Sequence, residues 1–294
     1  MEPVGLIGAG VMGLTAASKI LQAGGPLFIF DTSPEAQNKA SQAGARLGAS
    51  PAEVARQAEV ILMFLPGPAQ IIECVSGERG LLQSARPGTV VVDLSTSDPS
   101  TTRQMASLAR EKEVGYLDAP VLGRPISVGQ WALPVGGPKE DIDRCRPVFE
   151  LFASKVMHIG PSGAGHTVKL LNQLMFSAIN AMTAEMMAIA DKVGVPPKLL
   201  YETITASQAG TVSNLFLELG KNISNENYEN PTFSVDLLCK DARLAIQMAK
   251  ANNAPPLLAG MIQFINEMAQ AQGFGAKDTA VMWQAYKPLW SGQA

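Results

Sequence analysis

The sequence predicts an α/β chain in which a doubly wound parallel sheet is followed by an all-α half, the two joined by one long helix. Up to about residue 160, short apolar runs alternate with helix-length stretches, the pattern of βαβ units. After Gly165 the strand-like runs stop and only helical spacing continues. The length agrees, since 294 residues at ~100–200 per domain make about two domains.

The predicted strands are Val4–Ile7, Leu27–Phe30, Val60–Leu65, Thr89–Leu94, Val114–Leu117, Leu133–Val135 and Val156–Ile159. They are apolar on both faces, as buried parallel strands are. Helices are predicted between them at Gly10–Ala23, Pro34–Ala43, Pro51–Gln57, Thr101–Glu111 and Lys139–Phe152. From Thr167 to Val193, Leu170, Leu174, Ala178, Ala181 and Met182 recur at helical spacing until Gly194-Val195-Pro196-Pro197 stops the helix. At ~1.5 Å per residue this helix spans ~40 Å, enough to join two domains. Further helices are expected at Lys198–Thr205, Ser213–Lys221, Val235–Asn252, Leu257–Gln272 and Asp278–Ala285. The expected domains are residues 1–162 and 163–294, the second devoted to substrate and to dimerisation.

Composition removes several function classes. Hydrophobic residues are 47% and charged residues 17%, which excludes intrinsic disorder. Lys and Arg total 23 against 26 acidic residues, a net charge of −3 with no basic run, so nucleic acid and anionic membrane find no support. Three scattered cysteines exclude a disulfide framework and a CxxC metal site, and no metal is expected. The uncharged stretch Pro3–Ser18 follows Glu2 and is broken by glycines, so it reads as neither signal peptide nor membrane span. A cytoplasmic protein is expected.

The first βα unit carries the clearest motif. After Val4–Ile7 come Gly8, Ala9, Gly10, Val11, Met12 and Gly13, a GxGxxG between a strand and a helix. The glycines allow a tight turn, backbone approach to a pyrophosphate and close helix–strand packing, so a Rossmann-type dinucleotide site is expected here. The next strand ends in Asp31, where a carboxylate can accept from the adenosine ribose hydroxyls; the alternative is an aspartate capping the helix at Ser33-Pro34. Thr32 follows, with no cation until Lys39, so a 2′-phosphate would meet repulsion. NAD(H) is therefore expected over NADP(H). Leu65 and Pro66 end a further strand, and Ser95 and Thr96 another, on the edge where open α/β sheets bind ligands. They are candidate nicotinamide contacts, Ser95 being equally suited to capping the following helix.

Chemistry is expected at Lys169, among Val168, Leu170 and Leu171 on the first turns of the long helix. Desolvation can bring such a lysine toward a usable pKa, and Asn172 and Gln173 at i+3 and i+4 can share its face. That suits binding and protonation of a hydroxyl or carbonyl oxygen. The alternative is a surface lysine with its stem laid on apolar neighbours.

Four blocks together resemble the β-hydroxyacid dehydrogenase family, which includes 3-hydroxyisobutyrate dehydrogenase and the tartronate, glyoxylate and succinic semialdehyde reductases. They are Gly8–Gly13; Asp118-Ala119-Pro120-Val121 with Gly123; Gly163-Ala164-Gly165 through Lys169; and Lys240-Asp241. The resemblance implies that Lys169 is the general acid/base, that Asp118–Gly123 holds the substrate's acid group and that Lys240 lines the site at cofactor and substrate. It also implies a homodimer or homotetramer, as the apolar C-terminal helices suggest. Two departures stand out. Leu122-Gly123-Arg124 replaces the family's Ser-Gly-Gly, and Gln173 replaces its Asn, with Asn172 retained beside it. Arg124 is either an anion clamp or a surface arginine before Pro125. Asp241 reads as a helix surface residue, and His166 as a residue of the helix start.

The expected function is an NAD(H)-dependent oxidoreductase acting on a small anionic 3-hydroxy acid or its semialdehyde. Its rivals are an imine reductase, which the resemblance gives Asp or Tyr in place of Lys169, and a non-catalytic NAD(H)-binding scaffold.

Overall fold

Alternation within the first apolar run places Val4 and Leu6 on one face of a buried strand and Ile7 on the other. The same split recurs in every central strand, and it builds a sheet covered on both sides. A computed structural model of the chain describes residues 2–206, 213–254 and 256–290. Two units divide it, residues 1–169 and 170–294.

In the first unit the strands are β1 (Val4–Ile7), β2 (Leu27–Phe30), β3 (Arg46–Leu47), β4 (Val60–Met63), β5 (Val90–Asp93), β6 (Gly115–Asp118), β7 (Trp131–Gly136) and β8 (Ala153–Gly160). They lie in the order β3-β2-β1-β4-β5-β6-β7-β8. Helices α1 (Val11–Gln22), α2 (Pro34–Gln42) and α6 (Lys139–Phe149) cover the face of Leu6, Leu62 and Val92. Helices α3 (Pro51–Gln57), α4 (Pro68–Ser76) and α5 (Pro99–Arg110) cover the face of Ile7, Ile61 and Val91. This is the doubly wound arrangement that the alternating runs predict. Because β1 to β6 are parallel, the residues after β1, β2, β4, β5 and β6 come out along one edge.

The structure corrects several details. β7 runs antiparallel to β6, meeting it through Asp118 and Gly136, while β8 is parallel to β7. An apolar run reads alike in either direction, so the sequence pattern does not distinguish them. β8 is an edge strand with most of its residues exposed, not a strand buried on both faces. Short β3 and α4 lie outside the predicted elements. At two residues β3 is too short for a period to emerge.

Helix α7 (Ala164–Lys192) begins in the first unit and continues into the second. The second unit holds α8 (Pro197–Ala206), α9 (Asn214–Ser224), α10 (Val235–Ala251) and α11 (Leu257–Ala269). A π turn at Gln270–Phe274 and a 3-10 stretch at Thr279–Tyr286 stand where α-helix is predicted. Met187, Leu219, Leu238 and Met282 form its core, where the Trp283 indole donates to the Tyr228 hydroxyl at 2.8 Å. Cys74, Cys145 and Cys239 are free and buried. Among the described residues, no helix is long and apolar enough to cross a membrane, and no three metal-ligating side chains gather.

Candidate active site

The three glycines of the first turn have different physical reasons. A Cβ on Gly8, whose φ is +94°, would lie 2.2 Å from the Phe64 carbonyl oxygen, and one on Gly13 would lie 1.9 Å from the Gly8 oxygen. Packing therefore demands both. Gly10 has neither a positive φ nor any atom within 4 Å of where its Cβ would stand. Nothing in the protein requires a glycine there, and the open space faces the N-terminus of α1. That is the fit expected for a diphosphate approaching the backbone. Val11, the first residue of α1, is 68% exposed, and Met12 is half-buried.

Asp31 closes this loop from β2. Its Oδ2 accepts from the Ala9 N–H at 2.6 Å and its Oδ1 from the Ser33 N–H at 2.7 Å. Ser33, rather than Asp31, caps α2. Thr32 is exposed, and Lys39 is paired with Glu35 at 2.7 Å. Along the same edge the Leu65 N–H donates to Ser95 Oγ at 2.9 Å. Ser95 is therefore no helix cap; Asp98 caps α5. Pro66 is exposed and Thr96 half-buried.

The block that the resemblance gives to the substrate's acid group begins with a residue whose own partners are structural. Asp118 is fully buried, and its carboxylate accepts from the N–H groups of Gly163 at 2.8 Å and His166 at 2.9 Å. It satisfies donors at the start of α7 that would otherwise be orphaned. Burial pushes its carboxyl above the ordinary range, against the pull of His166 and of these N–H groups. Gly136 and Gly165 belong to the same knot. A Cβ on Gly136 would meet Asp118 Oδ1 at 2.5 Å, and one on Gly165 would meet the Pro134 oxygen at 2.4 Å. Two motifs separate in sequence are thus one packed junction.

Beyond this junction the chain turns through Val121 to Arg124. Lys169 Nζ donates to the Val121 carbonyl at 2.9 Å. Leu122 pairs with Ala132, its N–H donating at 2.9 Å. Gly123 lies under the Trp131 indole, where a Cβ would come within 2.4 Å of the ring. The Arg124 carbonyl accepts from Trp131 Nε1 at 2.7 Å, and its N–H donates to Ser127 Oγ at 3.1 Å. The loop backbone is therefore firmly anchored.

In the helical unit the two carboxamides part company. Asn172 is exposed, whereas Gln173 is buried and donates from Nε2 to Asp241 Oδ2 at 2.6 Å. Lys240 Nζ stands 2.8 Å from Asp241 Oδ1. Asp241 is 2% exposed, so it is not the helix surface residue that its neighbour suggested. Its position was readable after all. It falls three residues after buried Leu238 and four before buried Ala245, on the apolar stripe of α10.

Residues 3–160 match the family described as the NAD-binding domain of 6-phosphogluconate dehydrogenase. Residues 163–286 match the NAD-binding domain of NADP-dependent 3-hydroxyisobutyrate dehydrogenase. A probable mitochondrial 3-hydroxyisobutyrate dehydrogenase of Dictyostelium discoideum is 32% identical, covering 96% of this chain and 90% of that one. The 2-(hydroxymethyl)glutarate dehydrogenase of Eubacterium barkeri is 29% identical, covering 97% and 95%. The crystal structure of 3-hydroxyisobutyrate dehydrogenase from Salmonella typhimurium superposes with a TM-score of 0.89 at 28% identity, covering 97% of this chain and 99% of that one.

Proposed function

The chain belongs to the β-hydroxyacid dehydrogenase family of oxidoreductases, and we propose that it interconverts a short 3-hydroxy acid, or a related anionic alcohol, and its semialdehyde with NAD(H). Lys169 is the general acid/base in this reading. The observation that carries it is the bond from Lys169 Nζ to the Val121 carbonyl. It brings the ammonium to the loop that the family resemblance gives to the substrate's acid group. A carbonyl is a neutral acceptor, and the bond fixes the direction of Nζ.

The nicotinamide, when bound, exchanges a hydride with the substrate carbon. In reduction the Lys169 ammonium hands its proton to the aldehyde oxygen, and in oxidation the amine takes the hydroxyl proton. Gly8–Gly13 would hold the diphosphate, with the open space at Gly10 as the support. Asp31 would accept from the ribose hydroxyls, since each of its oxygens keeps a lone pair after its backbone bond. Leu65, Pro66 and Thr96 would flank the nicotinamide. Arg124 and Gly123 would meet the substrate's anion. 3-Hydroxyisobutyrate and 2-(hydroxymethyl)glutarate, for which the three relatives above are named, each carry a hydroxymethyl group on a carbon bearing a carboxylate, which supports the substrate class.

Residues 1–162 serve as the dinucleotide-binding domain in this reading, and 163–294 as the domain for substrate and dimerisation. A homodimer or homotetramer is supported by apolar side chains left exposed on two helices. Leu171, Met175, Met182 and Ile189 line one side of α7, and Leu257, Met261 and Phe264 one side of α11. Buried free thiols suit a reducing compartment, and the cytoplasm is the proposed setting.

The test is a panel of short semialdehydes and 3-hydroxy acids, bearing carboxylate, sulfonate or phosphonate, assayed with NADH and NAD⁺. Turnover of at least one, lost in Lys169→Ala, is expected. Tight NADH binding with no turnover of any member would favour a scaffold instead.

A further inference from the structure

His166 is fully buried, and its backbone N–H and two ring nitrogens reach three different elements. Its backbone N–H donates to Asp118 after β6 at 2.9 Å. Its Nδ1 lies 2.6 Å from Thr102 Oγ1 on α5, and its Nε2 lies 3.1 Å from the Ser95 carbonyl after β5. A carbonyl oxygen only accepts, so Nε2 carries the hydrogen of that bond. The side chain stands one turn before Lys169 on α7.

Packing alone does not explain an imidazole here. A leucine or methionine would fill a comparable volume with no polar atom to satisfy, whereas a buried imidazole needs every partner it has. What the imidazole adds is the contact with Thr102 and a directed bond to Ser95. That residue is held in two other ways: its N–H donates to Asp93 Oδ1 at 3.0 Å, and its Oγ accepts from the Leu65 N–H at 2.9 Å. The bond from His166 fixes the remaining backbone group of Ser95, and with it the peptide that leads into Thr96. It is also the bond that ties this strand end to the helix turn carrying Lys169.

We propose that His166 is a positioning residue for the nicotinamide, holding Ser95–Thr96 in place through its Nε2–H. The inference rests on the cofactor placement proposed above, with the nicotinamide at Thr96. It concerns the nicotinamide half of the ligand alone, because the adenosine half is assigned to Gly8–Gly13 and Asp31.

Calorimetric titration with NADH and with ADP-ribose, which lacks the nicotinamide, separates the two halves without requiring a substrate. In His166→Leu the NADH dissociation constant should rise about tenfold while that of ADP-ribose changes less than about twofold, the effect of one buried hydrogen bond. His166→Gln, whose amide nitrogen reaches the place of Nε2, should bring NADH back to within about threefold of wild type. His166→Asn, which is too short to reach Ser95, should behave like leucine. If the leucine variant does not fold, the glutamine and asparagine pair decides. Equal weakening of both ligands, or NADH affinity unchanged in the asparagine variant, would overturn the proposal. A wild type that binds NADH no more tightly than ADP-ribose would remove the cofactor placement itself, and this inference with it.

Discussion

Lys169 Nζ and the Val121 carbonyl oxygen lie 2.9 Å apart, although 48 residues separate them in the chain. The bond spans from the first turns of α7 to the loop after β6, over a junction pinned by Asp118. The bond gives Nζ a fixed direction, and an ammonium carries more than one proton. Both are what a general acid requires.

Lys169→Ala should therefore lower kcat by ~10²–10⁴, the usual effect of a positioned acid/base. NADH affinity, measured by fluorescence titration, should stay within about twofold on the same free-energy arithmetic. A variant keeping more than half of the wild-type kcat would remove Lys169 from the mechanism.

Arg124 is the second test. The Leu122 N–H is committed to Ala132 and the Arg124 N–H to Ser127. Gly123, between them, carries the remaining backbone N–H of this stretch. Arg124→Ala should raise KM for the best substrate by roughly 10–100-fold with kcat largely intact, since a charge-assisted bond contributes ~1.5–3 kcal/mol. Arg124→Lys should recover part of the loss, an ammonium lacking the guanidinium fork. A KM change below about twofold would assign the anion to the Gly123 N–H instead.

Cofactor choice follows from Asp31. Its carboxylate stands at the end of β2 with exposed, uncharged Thr32 beside it, and the next lysine is paired with Glu35. NADH should exceed NADPH by at least about tenfold in kcat/KM, because a 2′-phosphate meets repulsion and no cation. Equal efficiency with both would contradict this.

Asp98 gives a stability prediction with a defined pH dependence. It caps α5, accepting from the Ser100 and Thr101 N–H groups at 2.9 Å each. Burial raises its carboxyl, but the bonds from Ser100 and Thr101 outweigh that and hold it below the ordinary value. A depressed folded value means the contribution is complete above about pH 4, the unfolded value, and is lost as pH falls through the folded one. Asp98→Ala should destabilise the protein by about 1 kcal/mol at pH 7. Asp98→Asn keeps a good cap that does not titrate, so thermal unfolding should show a similar midpoint at pH 7 and a shallower acid limb. An unchanged acid limb would exclude Asp98 as its source.

Met261 and Phe264, exposed at 70% and 71% on one side of α11, test the oligomer. Light scattering on wild type should give a multiple of the chain mass. The double variant Met261→Glu/Phe264→Glu should shift toward monomer, because two charges desolvated at an interface are strongly unfavourable. A monomeric wild type would refute the proposed homo-oligomer.

What the sequence determined by itself is local. Gly8-x-Gly10-x-x-Gly13 could be read because a strand, a tight turn and a helix follow one another without a break, and Asp31 because it ends the next strand. The strands and the longer helices were legible for the same reason, since their periods repeat within a few residues. Tertiary structure alone decided which way β7 runs, because an apolar run from Trp131 to Gly136 fits either direction. It also decided the roles of three polar residues. Asp118 opens the block that the resemblance gives to the substrate's acid group, and its own partners are Gly163 and His166, 45 and 48 residues away. His166 looked like a helix start, and the same fold buried it against Ser95 and Thr102. The stripe of α10 showed that Asp241 is buried, but not that its partner is Gln173, 68 residues away. A buried polar group is defined by the partners that satisfy it, and partners that distant leave no period in the sequence.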